Sequence, residues 1–179
     1  RELTISVNVA ERQLVDQGLA DRIDELLRWA GIPPSQLRLE VREEVLARHA
    51  DDANGVLGRL ARLGVGVIVD DFGTSEAALT RIGRLEVVTG LKIDRTVIAQ
   101  LGRDGIAEAI VAGAVSLGRA RGLDVVAEGV ESRGQIELLQ GLGVDLMQGF
   151  HFLRPAPGGV FDTWMSDLDG EPAAGFSGV

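Results

Sequence analysis

One rhythm constrains this chain more than any other feature: a helical stretch ends at a glycine, and a short apolar strand follows at once. ADRIDELLRWAG leads into QLRLEV, GVLGRLARLG into VGVIV, AEAIVAGAVSLGRARG into LDVVAEG, and SRGQIELLQGLG into VDLMQGF. Glycine suits the left-handed position that closes a helix. Ser132 and Gln135 have the spacing of a capping box ahead of the last helix. LTISVNV and TGLKID add two strand candidates. About six strands separated by helices are the pattern of a parallel α/β protein. With 179 residues the chain suffices for one domain with a sizeable core. The expected division is a barrel domain over 1–164 and a loose tail over 165–179.

The polar residues of these strands fall in a regular place. Leu3, Ile5, Val7 and Val9 share one face of the first strand, and Asn8 lies on the other, near its end. Glu40 alternates with Leu39 and Val41, and Lys92 with Leu91 and Ile93. Asp70 and Asp71 end VGVIVDD, Glu128 ends DVVAE, and Gln148 sits in LMQGF. In a (β/α) barrel the C-terminal strand ends surround one site. The aspartate pair then faces Asn, Glu, Asp and Lys side chains rather than an apolar wall.

Oxygen donors without cysteine or histidine suit hard divalent cations such as Mg²⁺ or Mn²⁺. Cysteine is absent from the sequence, so thiolate sites and disulfides are excluded, as fits a reducing compartment. Adjacent aspartates can serve two metals in phosphate-ester hydrolysis. Each residue also has a plain reading. The aspartate pair can cap a helix, Lys92 can pair with Asp94, Glu40 with Arg38 or Arg42, and Asn8 can be a satisfied strand residue. His49, in a polar stretch, and His151, in an apolar run, are not expected to be ligands. The formal charge of −9 does not favour a long nucleic acid. No apolar run is long enough to cross a membrane as a helix.

Six ordered segments resemble the EAL family of bacterial cyclic di-GMP phosphodiesterases: SVNVAERQL, LRLEVREEV, VDDFGTS, LKIDR, VVAEGVES and MQGFHFLRPAP. The resemblance implies a modified TIM barrel of the EAL type and hydrolysis of cyclic di-GMP to linear pGpG. It implies Asn8, Glu40, Asp70 and Glu128 as metal ligands, and Asp71 at a second metal, helping to deprotonate the water. Lys92 would position that water, and Glu43 would brace the loop carrying Phe72 to Ser75. Asp94, Glu131 and Gln148 would line the substrate site. It further implies Mg²⁺ or Mn²⁺, a cytoplasmic location, and a parent protein, free to be membrane-anchored, with an upstream GGDEF or sensory domain. A homodimer through the helix and loop after the aspartate pair is a further implication.

The chain departs from the family pattern in several places. The Glu-Ala-Leu segment that names the family is absent, and with it one metal-binding glutamate and a substrate-binding arginine. The barrel is therefore expected to be incomplete at its N-terminal side. Ser75 and Glu76 stand where the family has Gly and usually Tyr, and Arg42 replaces a usual Thr. The chain alone is accordingly expected to be inactive. The alternative is a degenerate domain acting as a cyclic di-GMP receptor or interaction scaffold. A third reading, an unrelated barrel enzyme with Lys92 as a Schiff-base amine, ranks last. That chemistry wants a lysine of lowered pKa, and acids surround this one.

Overall fold

The computed structural model describes residues 3–74, 86–103 and 105–160. The expected tail over 165–179, and Ser75 with Glu76, lie outside the described residues. Among them six strands form one parallel sheet: β1 (Ile5–Asn8), β2 (Leu37–Arg42), β3 (Gly66–Phe72), β4 (Gly90–Ile93), β5 (Asp124–Glu128) and β6 (Leu146–Gln148). Their spatial order is their chain order, and each neighbouring pair is parallel. The helices between them are α1 (Glu11–Leu14), α2 (Leu19–Ala30), α3 (Glu43–Arg48), α4 (Ala50–Leu63), α5 (Arg95–Ile98), α6 (Ile106–Arg121) and α7 (Arg133–Leu142). The result is a half-barrel.

The sequence rhythm has its physical counterpart. Gly31, Gly64, Gly122 and Gly143 close α2, α4, α6 and α7 in the left-handed conformation. At α7 the capping box forms: the Gln135 N–H donates to Ser132 Oγ at 3.3 Å, and the Ser132 N–H to Gln135 Oε1 at 3.0 Å.

The strand register sorts residues by face. Leu39, Val67, Val69, Leu91, Ile93 and Ala127 are buried in the core that the helices cover. The opposite face carries Asn8, Glu40, Asp70, Lys92, Glu128 and Gln148, aligned by pairings such as Asn8↔Glu40 and Glu128↔Gln148. Near the N-terminal strand ends that face is closed by an Arg38–Asp124 ion pair at 2.7 Å, spanning β3 and β4. Side chains at Gly66 and Gly90 would crowd these two residues, since a Cβ at Gly66 would come within 3.1 Å of Arg38 and one at Gly90 within 3.4 Å of the Asp124 Cβ.

β3 departs from the expected strand. It runs one residue past the aspartate pair, to Phe72. Val69 pairs with Leu91 and Phe72 with Ile93, so Asp70 and Asp71 together oppose Lys92 alone. This is a β-bulge, one extra residue on one strand.

Candidate functional site

Plain alternation would send Asp70 and Asp71 to opposite faces of the sheet. The bulge removes that constraint. Asp71 takes a left-handed backbone, φ 59°, the one non-glycine with positive φ among the described residues. Such a conformation is sparsely populated for side chains other than Asn and Asp. The Thr74 hydroxyl donates to the Asp71 carbonyl at 2.9 Å and holds the turn. Burial, then the charges of Asp70 and Asp94, push the Asp71 carboxyl above its ordinary range.

The neighbouring strands deliver the remaining groups. The Lys92 ammonium donates to Glu40 Oε2 at 2.7 Å and to Glu128 Oε1 at 3.4 Å, and lies 3.6 Å from Asp70 Oδ1. Lys92 and Glu40 are buried, whereas the Glu128 side chain keeps 30% of its exposure. Burial is the largest single influence on Lys92 and opposes its charge. The Glu40 hydrogen bond and the charges of Asp70, Glu40 and Glu128 together outweigh it, so the ammonium is held more tightly than usual. Burial pushes Glu128 up, against the pull of Lys92. Asp70 Oδ1 is buried with no hydrogen-bond partner.

The plain pairings fall out differently from the sequence expectation. Lys92 pairs with Glu40, not Asp94, because the two side chains share one face of the sheet and meet across β3, while Asp94 has left the strand. Asp94 caps α5, accepting from the Thr96 N–H at 2.8 Å and from the Thr96 hydroxyl. Arg38 reaches Asp124, and Arg42 reaches Glu44 at 3.4 Å.

Glu43 is buried in the first turn of α3, directly after β2. Asn8 ends β1, exposed, with its Cα opposite Glu40. Glu131 and Gln148 are exposed at the same end of the sheet, and the Gln148 carbonyl accepts from the Val130 N–H at 3.0 Å. His49 bonds Glu11 at 2.6 Å, and His151 is exposed, edge-on to Phe152. Arg42 was not among the expected site residues, yet its charge reaches Asp71. Its even place in β2, two residues after Glu40, was the available signal.

Among the described residues no three acidic or histidine side chains form a cage ready for a cation. Three carboxylates are instead gathered on one ammonium. Such a group can hold a proton donor in place, offer oxygen ligands, and poise Asp71 as a proton acceptor.

The sequence model of the EAL domain matches residues 1–155. The chain belongs to the EAL domain family. This EAL domain is 42% identical over 153 residues to the bifunctional diguanylate cyclase/cyclic di-GMP phosphodiesterase MucR of Pseudomonas aeruginosa, covering 86% of the chain but 22% of MucR. A solved MucR phosphodiesterase in complex with cyclic di-GMP superposes with a TM-score of 0.81 at 40% identity, covering 88% of this chain and 64% of the other. The manganese and cyclic di-GMP complex of Klebsiella pneumoniae BlrP1 superposes at 0.79 with 29% identity, covering 83% and 38%. The EAL domain described here thus spans under a quarter of the length of MucR. No helix among its described residues is long and apolar enough to cross a membrane.

Proposed function

We propose that this EAL domain carries the greater part of a metal-dependent cyclic di-GMP phosphodiesterase site, hydrolysing one phosphodiester to give pGpG. The observation that carries the reading is the Lys92-centred group of Glu40, Asp70 and Glu128, set at the strand ends beside the left-handed Asp71. The donor chemistry fits a divalent cation: every ligand is an oxygen, and Asp70 Oδ1 is a buried acceptor with no hydrogen bond. Asn8, Glu40, Asp70 and Glu128 would hold one ion, and Asp71 with Asp70 a second. When bound, Mg²⁺ or Mn²⁺ supplies Lewis acidity toward the phosphodiester and the attacking water.

The remaining work belongs to the chain. Lys92, held protonated by its carboxylates, orients the water by donating to its oxygen. Asp71, its affinity for a proton raised by burial and then by Asp70 and Asp94, accepts the proton that the water loses. Glu43 braces the turn from Phe72 to Ser75. Asp94, Glu131 and Gln148 line the substrate. The parent protein would work in the cytoplasm, with a GGDEF or sensory domain upstream and a homodimer contact after the aspartate pair.

Production of pGpG from cyclic di-GMP tests the reading, with Mn²⁺ and Mg²⁺, on this chain and on its parent. The 179-residue chain alone is expected to show no measurable turnover, since the Glu-Ala-Leu glutamate is absent from its sequence. The parent, if it carries that segment, should turn over, and Lys92→Ala or Asp71→Asn should abolish it. A complete parent without turnover would move the function to the second reading, a cyclic di-GMP receptor or scaffold. The favouring observation there is that Glu40, Asp70 and Glu128 already engage the Lys92 ammonium, with no cation cage among the described residues.

A further inference from the structure

The site is strongly acidic, and an anionic ligand has to enter it. Asp70, Asp71, Asp94, Glu128 and Glu131 lie at or near the strand ends. The ammonium of Lys92 is buried and engaged by three carboxylates, so it offers little to an arriving phosphate.

Arg42 is placed differently. It is the last residue of β2, on the face of Glu40 and one step nearer the mouth, with its Cα opposite Asp70. β2 lies between β1 and β3 in the sheet, so Arg42 sits at the rim between their ends. Its side chain is 58% exposed, and its ion pair is a long one, 3.4 Å, to an exposed Glu44. A pair of that kind contributes little. Guanidinium carries five donors in a planar fork suited to phosphate oxygens.

We propose that Arg42 is a substrate-binding residue of this chain, a rim guanidinium that takes a non-bridging phosphate oxygen of the incoming guanylate phosphodiester. This rests on the phosphodiesterase or receptor reading of the site. It gives the acidic mouth a cation that is free to move onto the ligand, and Glu44 is the group that releases it.

Calorimetric titration of the 179-residue chain with cyclic di-GMP in Ca²⁺ tests the assignment. Arg42→Ala should weaken binding about tenfold, the loss of one charge-assisted hydrogen bond. Arg42→Lys keeps the charge without the fork and should fall between, while Glu44→Gln should bind at least as well as the wild type. The wild-type affinity should decline with salt more steeply than that of Arg42→Ala. Equal affinity of Arg42→Ala and wild type would overturn the assignment and leave the site reading standing. So would equal losses in Arg42→Ala and Arg42→Lys with a lowered melting temperature, the mark of a structural role. No binding by the wild type at all would overturn the site reading, and the role of Arg42 with it.

Discussion

Asp71 combines two costs in one residue: a left-handed backbone and a carboxylate beside two others. Asparagine tolerates that backbone and carries no charge, whereas alanine would meet the full penalty of about 1–2 kcal/mol. Asp71→Asn should therefore abolish turnover in an active parent yet raise the stability of the metal-free chain by about 0.5–1 kcal/mol at neutral pH. The pH dependence has a definite sign. Asp71 and Glu128 bind their protons more tightly folded than unfolded, so their contribution is present at low pH and is lost as pH rises from the ordinary carboxylate range through their raised folded values. Lys92 contributes fully below the ordinary lysine range, and its share is lost only as alkaline pH passes its folded value. Urea denaturation across a pH series checks both, and a flatter profile for Asp71→Asn between acid and neutrality is the expected result. Lys92→Ala leaves Glu40, Asp70 and Glu128 facing one another and should cost about 3 kcal/mol. Added Mn²⁺ should restore part of that loss if the cation shares these ligands; unchanged stability with Mn²⁺ would count against it. Residue identities at this site were legible in the sequence because period-two alternation exposes a lone polar residue among apolar ones. Their pairing was not: whether Lys92 meets Asp94 or Glu40 depends on where β4 ends.

At the scale of elements, the glycine-closed helices and the order of the strands were readable, since helix stops and apolar runs are local signals. The bulge in β3 was not. Nothing in VDDF announces that two residues will oppose one, because a bulge is defined by the partner strand's register. A second element-level device sits after β6. A Cβ at Gly149 would lie 2.1 Å from the Val130 carbonyl oxygen and 2.3 Å from its nitrogen, both rigid backbone atoms. The strand end carrying Gln148 and the turn carrying Glu131 are pressed together there, with Val130 donating to the Gln148 carbonyl and accepting from the His151 N–H. Gly149→Ala must push these segments apart. It should cost about 2–4 kcal/mol and weaken ligand binding through Gln148 and Glu131. Thermal melts and cyclic di-GMP titration measure the two effects, and an unperturbed variant would show that this contact does not position the site.

Across its described residues the molecule is a sheet with two open edges. Among the described residues β1 pairs with β2 only and β6 with β5 only. The consequence shows in exposure: Val7 is 47% exposed while its partner Leu39 is at 2%, and Ile5 stands at 60%. Leu146 on β6 is 41% exposed. An apolar, unpaired strand is a template for another chain. Opposing this is the formal charge of −9, which keeps copies apart at low ionic strength. The two influences respond oppositely to salt. Screening shortens the reach of the charge from about 30 Å at 0.01 M to about 3 Å at 1 M, while apolar contact is left intact. The isolated 179-residue chain should therefore self-associate in a concentration-dependent way, and more strongly as NaCl is raised. Light scattering across a salt and concentration series reads this directly. Placing lysine on the exposed face of β1, as Ile5→Lys with Val7→Lys, should suppress association without unfolding the chain, since neither side chain lies in the core. A monodisperse monomer at every salt concentration, unfolding in one cooperative step, would mean that the edges are inert, and the exposed face of β1 would then need another explanation.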